Sequence, residues 1–168
     1  MYGKGEENTM SVRSGAKALI VREGRILLNR CRHADGRVYY DLPGGGQKQH
    51  EPLEEAVVRE VLEETGLRVR VLRFAALSEE IYADPELQRR YPDYSHRMLH
   101  IFLAEVVSEE ASPTEKDYCM EGSEWVPLEA VKELPELCPR ALKTRLAEVL
   151  SGEGAVFLGT EINEWSEV

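Results

Sequence analysis

No apolar run in this chain approaches the roughly 18 residues that a membrane-spanning helix needs. The first residues, 1–15, are polar and carry no apolar core or small-residue cleavage site, so no secretory signal is read there and a cytoplasmic location is the expectation. Cysteine is scarce. Cys31, Cys119 and Cys138 are odd in number, far apart and free of any Cys-x-x-Cys or Cys/His ligand spacing. A disulfide framework or a structural zinc site is therefore not expected. Positive charge is also in deficit: 21 Lys and Arg stand against 31 Asp and Glu, a formal net charge of −10. Such a surface argues against duplex nucleic acid as the main partner. It does not exclude a small anion, because a bound metal ion can reverse the field inside one pocket.

What is present suits one globular unit. The 168 residues are 42% hydrophobic and 31% charged, enough to bury a core. Residues 1–13 read as a loose polar leader and 14–168 as a single domain. Strand-like runs at 16–21 and 26–31 flank a short Gly-containing turn and predict a hairpin. A third run, 38–40, ends at Pro43. Gly44-Gly45-Gly46 reads as a loop. Residues 52–65 predict a helix, with Pro52, Glu54 and Glu55 suited to its start and Gly66 to its stop. Strand character returns at 68–77 and 98–107. Between those runs lies a long polar and aromatic connection, and 108–123 reads as an acidic loop. Trp125-Val126 suits a short strand, 127–134 and 139–150 suit helices, and 155–159 suits a last strand. The mixture predicts an α/β or α+β class, with helices covering the faces of a sheet.

The chemistry lies in the 52–65 helix. Glu60, Glu63 and Glu64 stand at i, i+3 and i+4, so their carboxylates converge on one side. That side abuts the apolar arc of Leu53, Val57 and Val61. Like charges so placed repel, and a hard divalent cation would turn repulsion into attraction. Arg59 precedes the cluster, and Glu51, at the loop–helix junction, is a plausible partner for it. Glycines ahead of the helix let backbone approach a metal or a phosphate. A solvated acidic face is the plain alternative for such a helix.

Taken together, Gly45, Glu51, Arg59-Glu60-Val61, Glu63-Glu64 and Gly66-Leu67 resemble the signature box of the Nudix hydrolases, with every fixed position filled at the family's spacing. The flanks are similar more loosely, from about residue 14 to 150. The resemblance implies an α/β/α sandwich around a mixed central sheet and a loop–helix–loop that binds Mg²⁺ or Mn²⁺. It implies Glu60 and Glu64 as main metal ligands, Glu63 as a further one, the Gly44 carbonyl as a backbone ligand, and a Glu51–Arg59 pair that orients the helix. It also implies an additional acid, as ligand or general base, before the late Trp; Glu121 is the choice, with Asp117 and Glu124 as competitors. Two positions depart from the family's habits: Lys48 stands where many relatives have an acid, and His50 where many have glycine.

The implied activity is hydrolysis of a phosphoanhydride bond in a nucleoside diphosphate linked to another moiety, such as ADP-ribose or a nucleotide sugar. One alternative is a housecleaning nucleoside triphosphate pyrophosphohydrolase. Another is a non-catalytic Nudix domain that senses a nucleotide or binds a protein. The expected partner is a small nucleotide or pyrophosphate, and homodimers are a family habit. Candidate substrate contacts are Gly45, Arg30, Arg32, Tyr82, Arg89 and Arg90, with Lys17, Tyr91 and Tyr94 beside them. For Lys17, Arg30 and Arg32, solubility charge at a strand edge is the simpler account. His33, His50, His96 and His100 show no metal spacing with one another, although His50 lies beside the box. Trp125 and Trp165 read as packing residues.

Overall fold

A computed structural model describes residues 12–109, 112–114 and 119–163. The anticipated hairpin forms from β1 (Arg13–Arg22) and β2 (Arg25–Arg32). Arg13, counted in the leader from sequence, is thus the first residue of a strand; the rest of the leader up to residue 11 lies outside the described residues. β3 (Val38–Asp41) follows, and the glycine triplet is a short strand, β4 (Gly44–Gly46), not a loop. It pairs antiparallel with β1, Lys17 opposite Gly44 and Ala16 opposite Gly45. The reason is space. A Cβ on Gly44 would lie 2.2 Å from the Ala16 carbonyl oxygen, so only glycine brings these backbones together.

The acidic helix, α1, runs Leu53–Thr65 and is closed by the Gly66 N–H on the Leu62 carbonyl. β5 (Leu67–Tyr82) and β6 (His96–Glu109) form a long antiparallel pair. The connection between them, anticipated as a polar loop, contains a helix, α2 (Pro85–Arg90), whose first N–H groups are capped by Asp84. β7 (Met120–Pro127) starts inside the stretch anticipated as acidic loop. A 3-10 helix (Leu128–Glu133), β8 (Leu137–Cys138), α3 (Leu142–Ser151) and β9 (Val156–Asn163) complete the described chain.

The nine strands make one mixed sheet in the order β8-β3-β2-β1-β6-β5-β9, with β4 on β1 and β7 on β2. β1 runs parallel to β6, and β9 parallel to β5. Alternation along β1 divides the core. Ala16, Ala18 and Ile20 pack with Phe102 and Ala104 against Ala56, Val57 and Val61 of α1. Leu19 packs with Ala76 and Ile101 against Val131, Leu142, Leu146 and Val149 on the other face. Helices on both faces give the α/β/α sandwich anticipated from sequence. A 13-residue helix is marginal alone. Burial of Val57 and Val61, about 1.5–3 kcal/mol each, is what docks α1 on one face of the sheet and brings Glu64 to β2 and β4.

Candidate active site

Arg59 organises the outer half of the site. Its guanidinium grips Glu51 with two hydrogen bonds, Nε to Oε1 at 2.7 Å and Nη2 to Oε2 at 3.0 Å. Nη1 donates to Glu60 Oε1 at 2.7 Å and to Glu63 Oε2 at 3.0 Å, and Nη2 reaches the Gly46 carbonyl at 3.1 Å. One side chain thus ties β4, the following loop and α1 together. The Arg59 hydrogen bonds, joined by the Lys48 backbone N–H, lower the Glu51 pKa to about 2. The expected Glu51–Arg59 pair is present. His50, just before it, has a φ of 65°, so the backbone keeps the conformation that glycine takes most easily, at a cost of roughly 1–2 kcal/mol.

Gly45 is a matter of room. A Cβ there would fall 2.4 Å from Glu60 Oε2, so the bare backbone makes the niche in which the Glu60 carboxylate lies.

The inner half differs. Glu64 is only 4% exposed. Its Oε2 accepts from Asn29 Nδ2 and from the Gly44 N–H, each at 2.8 Å. Asn29 in turn accepts through Oδ1 from Ser123 Oγ at 2.7 Å. Burial pushes the Glu64 pKa up to about 7, against the opposing pull of Lys17, Gly44 and Asn29. Lys17 is 7% exposed, and its three protons go to Asp41 Oδ2 at 2.8 Å, the Leu42 carbonyl at 3.1 Å and the Gly44 carbonyl at 2.8 Å. Burial lowers the Lys17 pKa, but attraction to Asp41 and Glu64 outweighs it and the net direction is up.

Among the described residues, no three His, Cys, Asp or Glu side chains are already drawn around one point as a metal centre. The contacts explain this. The Arg59 guanidinium lies against both Glu60 and Glu63, while Glu64 bonds toward β2 and β4.

Beyond Lys17 opens a cleft of about 590 Å³, lined among others by Asp41, Tyr39, Tyr82, Arg97 and Arg140. The ring of His33 stacks on Tyr39 with centroids 4.3 Å apart. Arg97 pairs with buried Glu80 and lies over the Tyr82 ring. Of the substrate contacts anticipated from sequence, Lys17, Arg32 and Tyr82 line this cleft. Arg32 and Arg30 both pair with Glu121. Arg89 and Arg90 lie on α2, outside the lining, Arg89 on the Pro85 carbonyl and Arg90 over Tyr91. Glu124 sits on β7 opposite Leu28, and Asp117 and Trp165 fall outside the described residues.

Asn29, Asp41, Ser123 and Arg97 were not singled out from sequence, and Lys17 was read as a substrate-phosphate contact or, more simply, a strand-edge charge. The available signal was a polar residue inside an apolar strand run, Lys17 in β1 and Asn29 in β2. Such a residue, once buried, needs a partner.

A mixed sheet between two helical layers, with a glycine strand on β1 and an Arg-ordered acidic helix on one face, defines the class of domain. The sequence family described as NUDIX domain matches residues 12–145, and the chain belongs to that family. It is 36% identical over 114 residues to a putative mutator protein, MutT4, of Mycobacterium tuberculosis, covering 68% of this chain and 42% of the relative. An ADP-ribose pyrophosphatase of Methanocaldococcus jannaschii is 32% identical over 92 residues, covering 55% of this chain and 50% of that one. Among solved structures, a MutT NUDIX hydrolase from Burkholderia pseudomallei, 32% identical, superposes with a TM-score of 0.57 over 71% of this chain and 85% of its own. The chain spans half or less of the length of these curated relatives. No described helix is long and apolar enough to cross a membrane.

Proposed function

We propose that this chain is a divalent-metal-dependent pyrophosphohydrolase that cuts a phosphoanhydride bond in a nucleoside diphosphate linked to another moiety. The observation that carries the reading is the adjacency of a buried carboxylate, Glu64, to an arginine-lined cleft, with Lys17 in the cleft wall and linked to Glu64 through the Gly44 backbone. The cleft volume suits a nucleotide-sized ligand. Arg32, Arg97 and Arg140 in its wall suit phosphate oxygens, and the Tyr39–His33 pair offers an aromatic face. The similarity to an ADP-ribose pyrophosphatase supports the diphosphate class.

Glu60, Glu63 and Glu64 are the residues that would hold Mg²⁺ or Mn²⁺, with the Gly44 carbonyl as backbone donor. The donors are hard oxygens, as Mg²⁺ requires. The niche at Gly45 gives the Glu60 carboxylate its room. The cost of burying the Glu64 charge is only partly offset by Lys17, the Gly44 N–H and Asn29. When bound, the ion offsets charge on the pyrophosphate oxygens and acidifies water. The chain's own part is positional. Arg59 and Glu51 hold the loop on α1, and Asn29 and the Gly44 N–H fix Glu64 Oε2. A water oxygen attacks one phosphorus in line, the bridging P–O bond breaks, and a carboxylate of the cluster takes the water's proton. Glu121, paired with Arg30 and Arg32, is the further acid in this scheme.

The test is turnover with Mg²⁺ across nucleoside triphosphates, dinucleoside polyphosphates, ADP-ribose and nucleotide sugars, with Glu64→Gln alongside. Hydrolysis of a diphosphate-linked compound that collapses in the variant is the expected result. Exclusive release of pyrophosphate from triphosphates would move the assignment to the housecleaning class. Binding without turnover of any compound would sink the enzyme reading.

A further inference from the structure

Lys17 is not placed as a residue that reaches for substrate. All three of its protons are spent inside the protein, on Asp41, Leu42 and Gly44. An ammonium has only three to give. Its surroundings are a carboxylate oxygen and two main-chain carbonyls at 2.8–3.1 Å, an all-oxygen shell of the kind that hard cations take. The Glu64 carboxylate acts on the same ammonium from the α1 side. Asp41 has acceptor capacity in reserve: its second oxygen, Oδ1, is buried and has no hydrogen-bond partner among the described residues. A buried carboxylate oxygen left unpaired is costly unless a cation stands near.

We propose that the Lys17 ammonium fills a cation position built from Asp41, the Leu42 carbonyl and the Gly44 carbonyl, so that removing its charge opens a further divalent-cation site. The position adjoins the centre assigned to Glu60, Glu63 and Glu64, and in naming it as a neighbour the inference rests on that reading. The consequence for the chain is a built-in positive charge where the cleft meets the acidic helix. It is present whatever the metal supply. The Gly44 carbonyl, expected from sequence as a metal ligand, is shared with this resident cation.

The experiment counts bound Mn²⁺ per chain by electron paramagnetic resonance in the wild type, Lys17→Met, the double variant Lys17→Met/Asp41→Asn, and Glu64→Gln. Lys17→Met is expected to bind one more ion than the wild type, and the double variant to lose that extra ion. Equal counts in folded wild type and Lys17→Met overturn the inference. Circular dichroism reports whether Lys17→Met folds. If it does not, Lys17→Gln, whose amide still donates to Asp41, is the variant counted against the same outcomes. Loss of an ion in Glu64→Gln without a gain at Lys17 overturns this inference alone. A gain at Lys17 without a loss in Glu64→Gln keeps it and overturns the metal-centre reading.

Discussion

The two halves of the acidic cluster on and before α1 make opposite use of the same side chain. Glu60 and Glu63, on the outer half, share one guanidinium with Glu51 in a partly exposed network. Glu64, one residue beyond Glu63, is buried, accepts its hydrogen bonds from neutral donors with the Lys17 ammonium acting only at a distance, and is held at a pKa of about 7. Glu51 on the outer half is held near 2. Carboxyl chemistry is identical in all four. The difference comes from where each sits on or before the helix and from whether a permanent cation touches it directly. The outer half is built for rigidity, and the inner half retains an incompletely compensated charge.

The strongest way to break this contrast is Glu64→Gln. It removes the inner charge but leaves an oxygen to accept from Asn29 and Gly44. Turnover on the identified substrate is expected to fall about 100-fold or more with the fold intact. Near-normal turnover in a folded preparation would defeat the assignment. The same variant tests the electrostatics. A folded pKa of about 7, above the ordinary 4.5, means the folded state keeps a proton that the unfolded chain has lost. Stability in the presence of a chelator therefore falls as pH rises from 4.5 to about 7, and Glu64→Gln should remove that slope.

Next in size is Arg59→Gln, which leaves Glu51, Glu60 and Glu63 facing one another. Denaturant unfolding should show a loss of about 3 kcal/mol. Added Mg²⁺ should restore part of it by replacing the lost cation. No recovery with Mg²⁺ would separate the outer acids from metal binding.

Glu51→Gln should cost about 2 kcal/mol, from the bonds it makes with a charged partner. Its pH signature has the other sign. The folded pKa of about 2 lies below the ordinary 4.5, so its contribution is complete above 4.5 and is lost as pH falls toward 2. The variant should flatten that acid limb and leave the 4.5-to-7 slope untouched. A change in both limbs would show that the halves are coupled.

The smallest effect is Ser123→Ala. It cuts the support of Asn29, the residue that fixes Glu64, and should cost about 1 kcal/mol in unfolding experiments. A much larger loss in turnover than in stability would make Ser123 part of the working site.

The outer half was legible from the residues because it is local. Glu60 and Glu63 follow helical spacing, and Glu51 and Arg59 lie within one loop and one helix. The inner half depends on contacts that cross the sheet. Lys17 and Asn29 come from the first hairpin, Asp41 from β3 and Ser123 from β7, up to 94 residues from its bonded partner. No periodicity within β1 says that its one lysine turns inward. The glycine triplet was misread for a related cause: it is a strand only because β1 lies against it, and nothing within 44–46 announces that partner. The long connection after Tyr82 hid a helix of six residues, too short for an apolar period to show.

The niche beside Gly45 also works as a gauge. Position 45 carries no charge and touches Glu60 only through the volume it leaves empty. Each added atom there would push one carboxylate outward while every acid, and the net charge, stayed as it is. A graded series from glycine through alanine to serine would therefore separate how far apart the acids must stand from how many of them there are, a distinction that exchanging the acids themselves cannot make.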